Sequence, residues 1–188
     1  MASPSDLILR PIGVVEKRVL DHLENCISAR CGLPCRVSGG MGDPEYAFDE
    51  KRGQYNSKLI LKPLLEACPD HALRIIGVTQ VDMFVPILKY VYGLALMEGR
   101  CAVISLHRLR PEFYDHLPDP VLLMDRAEKT AIHEVGHSFG LTHCRDRHCV
   151  MYPSTRIRDT DFKEPDFCPT CFELFKWNLK NLSPSCHL

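Results

Sequence analysis

The feature that most constrains this chain is the run HEVGHSFGLTH at residues 133–143. His133 and His137 are four residues apart, so on a helix they lie about 40° apart around the axis and project from one face. Gly140 can adopt the positive φ of a sharp turn, which would bring His143 back as a third ligand. The spacing therefore predicts that three imidazoles reach one metal ion.

Three neutral nitrogen ligands leave a fourth position for water, which is typical of a catalytic zinc site. Glu134 adjoins the first histidine and could take a proton from that water. The alternative interpretation is a helix that carries surface histidines. A motif of five fixed positions seldom arises by chance in a chain of this composition, and this favours the metal site.

Ten cysteines form the second unusual feature of the sequence. Cys144 and Cys149 bracket four residues, and Cys168 and Cys171 form a CxxC pair. In a reducing compartment, clustered cysteines are more often metal ligands than disulfides, and four thiolates make a closed structural zinc site. Three alternatives stay open: four unrelated thiols, a redox CxxC, or His148 in place of one thiolate.

The remaining cysteines show no comparable pairing and are predicted to be buried or idle thiols. They are Cys26, Cys31, Cys35, Cys68, Cys101 and Cys186. The histidine and cysteine clusters together predict two zinc ions per chain, one catalytic and one structural.

Strand-like and helix-like patterns alternate before the histidines. Strands are predicted over 7–15, 35–37, 72–79, 90–96 and 101–106, and helices over 16–30, 56–68 and 122–141. Residues 38–53 resemble a loop, and 171–182 is the one helix predicted after the histidines. The order indicates an α/β fold with a mixed sheet. A single domain is expected, with an N-terminal α/β subdomain (1–141) and a small zinc-stabilised subdomain (142–188).

The charge balance argues against polyanionic partners. Lys and Arg total 23 against 24 for Asp and Glu, so the net charge is −1. Such a balance gives no long-range attraction to nucleic acid or to anionic lipid. Residues 7–15 are interrupted by Arg10 and Pro11 and lack a preceding basic segment, so they are predicted to be a strand and not a signal peptide. A monomeric cytoplasmic protein is expected.

The run HEVGHSFGLTHC, followed by Cys149, Met151 and the CxxC pair, resembles the archaemetzincins, a branch of the metzincin zinc peptidases. The segments VTQVDMF (78–84) and AVISLHRL (102–109) are also similar to that family. The resemblance implies a twisted mixed sheet, a long active-site helix and a tight turn that places Met151 beneath the metal. It also implies an edge strand over the cleft that pairs with an extended peptide. That strand is expected at Ala102, Val103, Ile104, Ser105 and Leu106.

By this resemblance, the protein is expected to hydrolyse peptide bonds with a zinc-activated water and Glu134 as general base. The partner would be a peptide or protein substrate. A catalytically weak peptide-binding or regulatory protein is the alternative, although a pure binder needs no base at position 134. A third possibility is that the four cysteines form a zinc-ribbon-like interaction module.

Overall fold

The computed structural model describes residues 6–182. Within this range, eight strands and five α-helices follow one another along the chain. They are β1 (Asp6–Ile12), α1 (Lys17–Cys31), β2 (Cys35–Val37), β3 (Phe48–Asp49), β4 (Gln54–Asn56), α2 (Ser57–Glu66), β5 (Ala72–Thr79), β6 (Met83–Phe84), β7 (Gly93–Ala95), β8 (Cys101–Ser105), α3 (Pro120–Ser138), α4 (Ile157–Phe162) and α5 (Pro169–Lys180). None of these helices is long and apolar enough to cross a membrane.

Five strands form the main sheet in the order β2-β1-β5-β8-β7. Four of them are parallel, and β7 alone runs antiparallel to its neighbour β8. β5 is almost continuously apolar because it is buried on both faces in the middle of the sheet. The sheet is therefore mixed, and the predicted α/β fold is confirmed.

Helices cover both faces of this sheet. Leu7 and Leu9 point to the face on which α1 and α3 pack, whereas Ile8 and Ile12 point to the face that α2 covers. This alternation follows from the two-residue period of a strand. The arrangement places α3, which carries the histidines, directly against β8 and β7.

The prediction that Ala102, Val103, Ile104, Ser105 and Leu106 form the edge strand is wrong. Residues 102–105 belong to β8, which is hydrogen-bonded to β5 on one side and to β7 on the other, and Leu106 follows its end. All of β8 is buried, as expected for an internal strand. The edge of the sheet on this side is the short strand β7.

Backbone pairing shows which groups of β7 face outward. Tyr92 accepts a hydrogen bond from Ser105, and Leu96 donates one to Cys101, so both residues point toward β8. Because alternate residues of an antiparallel strand point to opposite sides, the N–H and C=O groups of Gly93 and Ala95 point away from β8. The free edge is thus only a few residues long.

Two other regions differ from the sequence prediction. The expected loop over 38–53 contains β3, which joins β4 and β6 in a separate three-stranded sheet. After the histidines there are two helices, α4 and α5, where only one was predicted. Both α4 and β3 are shorter than the windows in which helical or alternating periodicity can be recognised.

The chain after α3 packs back onto the main core. Val150 and Phe175 are fully buried in the same hydrophobic cluster as α1 and α3. Phe175 contacts Phe139 edge to face, with ring centroids 4.9 Å apart. The expected subdomain from residue 142 is therefore attached to the core by apolar contacts. Cys186, which was predicted to be a buried or idle thiol, lies outside the described residues.

Candidate metal centre

Three histidines converge at the end of α3. His133 and His137 belong to the helix, and His143 follows the turn at Gly140, where φ is +85°. Their ring nitrogens lie within 4.8 Å of one another, and the Nε2 atoms of His133 and His137 are 3.0 Å apart. His133 is buried, His137 half-buried and His143 exposed, so one side of the cluster is open to solvent. The three imidazoles fit one small cation.

Backbone carbonyls fix the orientation of two of these rings. His133 Nδ1 lies 2.8 Å from the carbonyl oxygen of Val150, and His137 Nδ1 lies 2.7 Å from that of Leu141. An imidazole that donates from Nδ1 presents the lone pair of Nε2 to a metal. Burial also lowers the pKa of all three histidines, which favours the neutral form that binds metal.

Glu134 lies beside this cluster with 6% of its surface exposed. Burial raises the pKa of its carboxyl group to about 8, and the nearby positive charge of Lys163 opposes this shift. Its carboxyl group packs against the edge strand: a Cβ at Gly93 would lie 2.6 Å from Glu134 Oε1. The absence of a side chain at position 93 therefore creates the space that the carboxyl group occupies.

Met151 lies in a tight turn beneath α3. The turn spans residues 149–152 and is closed by a 2.9 Å hydrogen bond from the N–H of Tyr152 to the carbonyl of Cys149. The Met151 side chain is fully buried, and its sulfur is so close to Gly136 that a Cβ there would collide with it. The structure thus places Met151 against the helical turn between the two helix-borne histidines.

The four cysteines form a second cluster. The sulfur atoms of Cys144, Cys149, Cys168 and Cys171 all lie within 4.8 Å of one another. Backbone N–H groups are directed at two of the sulfurs, since Cys144 Sγ accepts from Asp146 and Cys149 Sγ accepts from both Met151 and Cys168. Such donors stabilise thiolates. The arrangement has the ligand number and type of a structural zinc site.

The positions of the side chains also distinguish among the alternatives given for the four cysteines. His148 is not among the four converging groups, and its ring instead packs on Phe162 at a centroid distance of 5.1 Å. A redox pair would need only two thiols, whereas four converge here. Four cysteines are therefore the better ligand set.

Lys163, which follows α4, is a further residue at this site that the sequence did not predict. Only 2% of this residue is exposed, its ammonium donates to the carbonyl oxygen of Tyr152 at 3.0 Å, and Nζ lies 3.4 Å from His133 Nδ1. Burial lowers the pKa of Lys163 to about 8, although the charge of Glu134 opposes this shift. Lys163 is thus a buried cationic group between the methionine turn and the histidine cluster.

Known proteins that resemble this chain belong to one family of peptidases. The model of peptidase family M54 matches residues 15–177. The archaemetzincin of Methanocaldococcus jannaschii is 40% identical over 167 residues, which cover 89% of this chain and 90% of that protein.

Solved structures agree with this match. The crystal structure of archaemetzincin from Methanopyrus kandleri superposes with a TM-score of 0.83 and 35% identity, covering 94% of this chain and 96% of that one. A zinc-dependent peptidase from Methanocorpusculum labreanum gives a TM-score of 0.82 and 28% identity, covering 90% and 99% of the two chains. The fold and the family match define a zinc metallopeptidase. The chain belongs to peptidase family M54, the archaemetzincins.

Proposed function

We propose that this chain hydrolyses peptide bonds, with His133, His137 and His143 as ligands of a catalytic zinc ion and Glu134 as general base. The observation that carries the proposal is the convergence of three imidazoles beside a buried carboxyl group. Cys144, Cys149, Cys168 and Cys171 would hold the second, structural zinc. Each chain would then carry two zinc ions.

Zinc bound to the three imidazoles supplies a Lewis acid that acidifies water and polarises the scissile carbonyl. Glu134 would accept a proton from the attacking water on one carboxylate oxygen and deliver it to the departing amine nitrogen. Its buried position keeps bulk water from competing for that proton. The carbonyls of Val150 and Leu141 keep the imidazoles of His133 and His137 oriented throughout.

We further propose that the substrate binds along β7 as an extended strand, in place of the edge position first expected at 102–106. The outward N–H and C=O groups of Gly93 and Ala95 are the ones suited to pair with it. Because Gly93 also contacts the Glu134 carboxyl group, such pairing would place the scissile bond next to the base.

The proposed substrate is a peptide or protein, and the proposed working form is a cytoplasmic monomer without nucleic-acid or membrane partners. The near-zero net charge supports the exclusion of polyanions. None of the nine cysteines within residues 6–182 is part of a disulfide, which suits a reducing compartment.

Incubation of the zinc-loaded protein with an unbiased peptide mixture tests the proposed function. Mass spectrometry should detect new peptide termini that disappear when the metal is removed by a chelator and return when zinc is restored. His137→Ala serves as the matched inactive control. Peptides that are retained by the protein but never cut would instead support the peptide-binding alternative.

Gly93→Ala should lower kcat/KM about 10²-fold, because the new methyl group would displace the Glu134 carboxyl from its position. Gly39→Ala is the control, since a Cβ at Gly39 has no neighbour within 4 Å. Zinc content should be normal in both variants. Unchanged peptide hydrolysis by Gly93→Ala would show that the contact between positions 93 and 134 does not position the base.

A further inference from the structure

A third group of metal-binding side chains joins α1 to α3. His22 and Cys26 lie four residues apart on α1 and meet Glu128 of α3. One ligand atom from each lies within 4.8 Å of the other two. His22 Nε2 is 3.3 Å from Glu128 Oε2 and 3.5 Å from Cys26 Sγ. The three side chains therefore already form a compact donor set.

This group is separate from the histidine centre. Glu128 precedes His133 by five residues, which is about 140° around the helix axis, so the two side chains leave α3 in different directions. None of the seven candidate ligands of the proposed zinc sites belongs to the group. Any ion bound here would be additional to the two already proposed.

The donor chemistry matches zinc. One imidazole nitrogen, one thiolate sulfur and one carboxylate oxygen are the three ligand types that Zn²⁺ accepts in proteins, and Cys26 would release its thiol proton to solvent on binding the ion. Three protein ligands leave a further position for water or an exogenous ligand. Cys26 and Glu128 also line a surface cavity of about 710 Å³, so that position can be reached from solvent.

An arginine orients the carboxylate without blocking it. Arg30 Nε is 3.2 Å from Glu128 Oε1, which leaves Oε2 turned toward His22. Asp166 in turn pairs with the Arg30 guanidinium at 2.6 Å and offsets its positive charge. Such outer partners fix the orientation of metal-binding carboxylates.

We propose that His22, Cys26 and Glu128 form a third, exchangeable zinc site that links α1 to the helix carrying the catalytic histidines. With three protein ligands and partial exposure, it should bind zinc less tightly than the closed cysteine site. Loading it should raise the melting temperature by a few degrees, since the ion joins segments that are about 100 residues apart in sequence.

Calorimetric titration of the two-zinc protein with ZnSO4 tests the site. We expect one additional equivalent, with an affinity that falls at least about 100-fold in Cys26→Ser and in His22→Gln. His71→Gln, which changes an exposed histidine outside the group, should bind like the parent. No additional equivalent in the parent, or an unchanged one in both ligand variants, would overturn the proposal.

Alkylation of the unmutated protein provides a second measurement that does not depend on how the variants fold. Added zinc should slow modification of Cys26 by iodoacetamide at least about tenfold, while Cys68 reacts at an unchanged rate. Cys68 is a suitable internal control because it is also half-buried but belongs to no metal-binding group among residues 6–182. Equal rates at Cys26 with and without zinc would contradict the site.

Discussion

Glu134→Gln is expected to reduce peptide hydrolysis roughly 10³-fold or more while zinc content stays at the parent level. Glutamine keeps the shape of the side chain, and therefore the contact with Gly93, but it cannot accept the proton that the proposed reaction transfers. Because Glu134 is not a proposed ligand, its replacement should leave the three imidazoles in place. The measurement is steady-state hydrolysis combined with elemental analysis of the same sample.

The matched control is Glu112→Gln, which makes the same chemical change at an exposed position. It should retain full activity. If Glu134→Gln cleaved peptides as fast as the parent with a normal zinc content, the proton would have to be transferred by another group. The proposed mechanism would then be wrong.

Cys168→Ser should lower the free energy of unfolding by at least about 3 kcal/mol, whereas His137→Ala should lower it by much less. The cysteine cluster joins residues 144–149 to the start of α5, and the proposed structural zinc would hold these two segments together. His133 and His137 lie on a helix that is already supported by the sheet. Chemical denaturation of both variants measures the difference, and equal destabilisation would contradict it.

Amide hydrogen exchange should show which residues lose protection in Cys168→Ser. Phe175 stays packed against Phe139, so the middle of α5 should keep its protection. Exchange should accelerate mainly over 142–156, which includes His143 and Met151, and activity should fall as a secondary effect. Full protection of 142–156 in this variant would show that zinc is not needed to order the segment.

The parts of the site that the sequence predicted well are those set by local spacing. The separation of His133 and His137 by four residues determines their common face as soon as a helix forms. A glycine at position 140 marks the turn that returns His143, and the structure has the positive φ that this turn requires. The helix itself begins at Pro120 and not at residue 122, because Asp119 caps it.

The position of a strand within the sheet could not be predicted from local residue spacing. The apolar character of 101–106 correctly indicates burial, but burial does not reveal how many neighbours a strand pairs with. A strand was predicted over 90–96, and β7 occupies the three residues Gly93–Ala95 of it. The edge was placed at 102–106 by the family resemblance, whereas the structure places it at the other strand of the hairpin.

Groups formed by distant residues were also missed. Lys163 reaches the histidine centre from a loop 30 residues away, and nothing in its local sequence distinguishes it from a surface lysine. The pair His22 and Cys26 did carry a signal, namely the same four-residue helical spacing as His133 and His137. The contribution of Glu128, about 100 residues later, depends on how α1 packs against α3.

Elemental analysis of protein desalted into metal-free buffer measures how many zinc ions each chain holds tightly. At this low free zinc concentration the exchangeable site should be empty, so two zinc ions are expected in the parent. One is expected in His137→Ala, one in a variant that combines Cys168→Ser with Cys171→Ser, and none when all three changes are combined. A single ion in the parent, unchanged by replacement of the two cysteines, would contradict the division into a catalytic and a structural site.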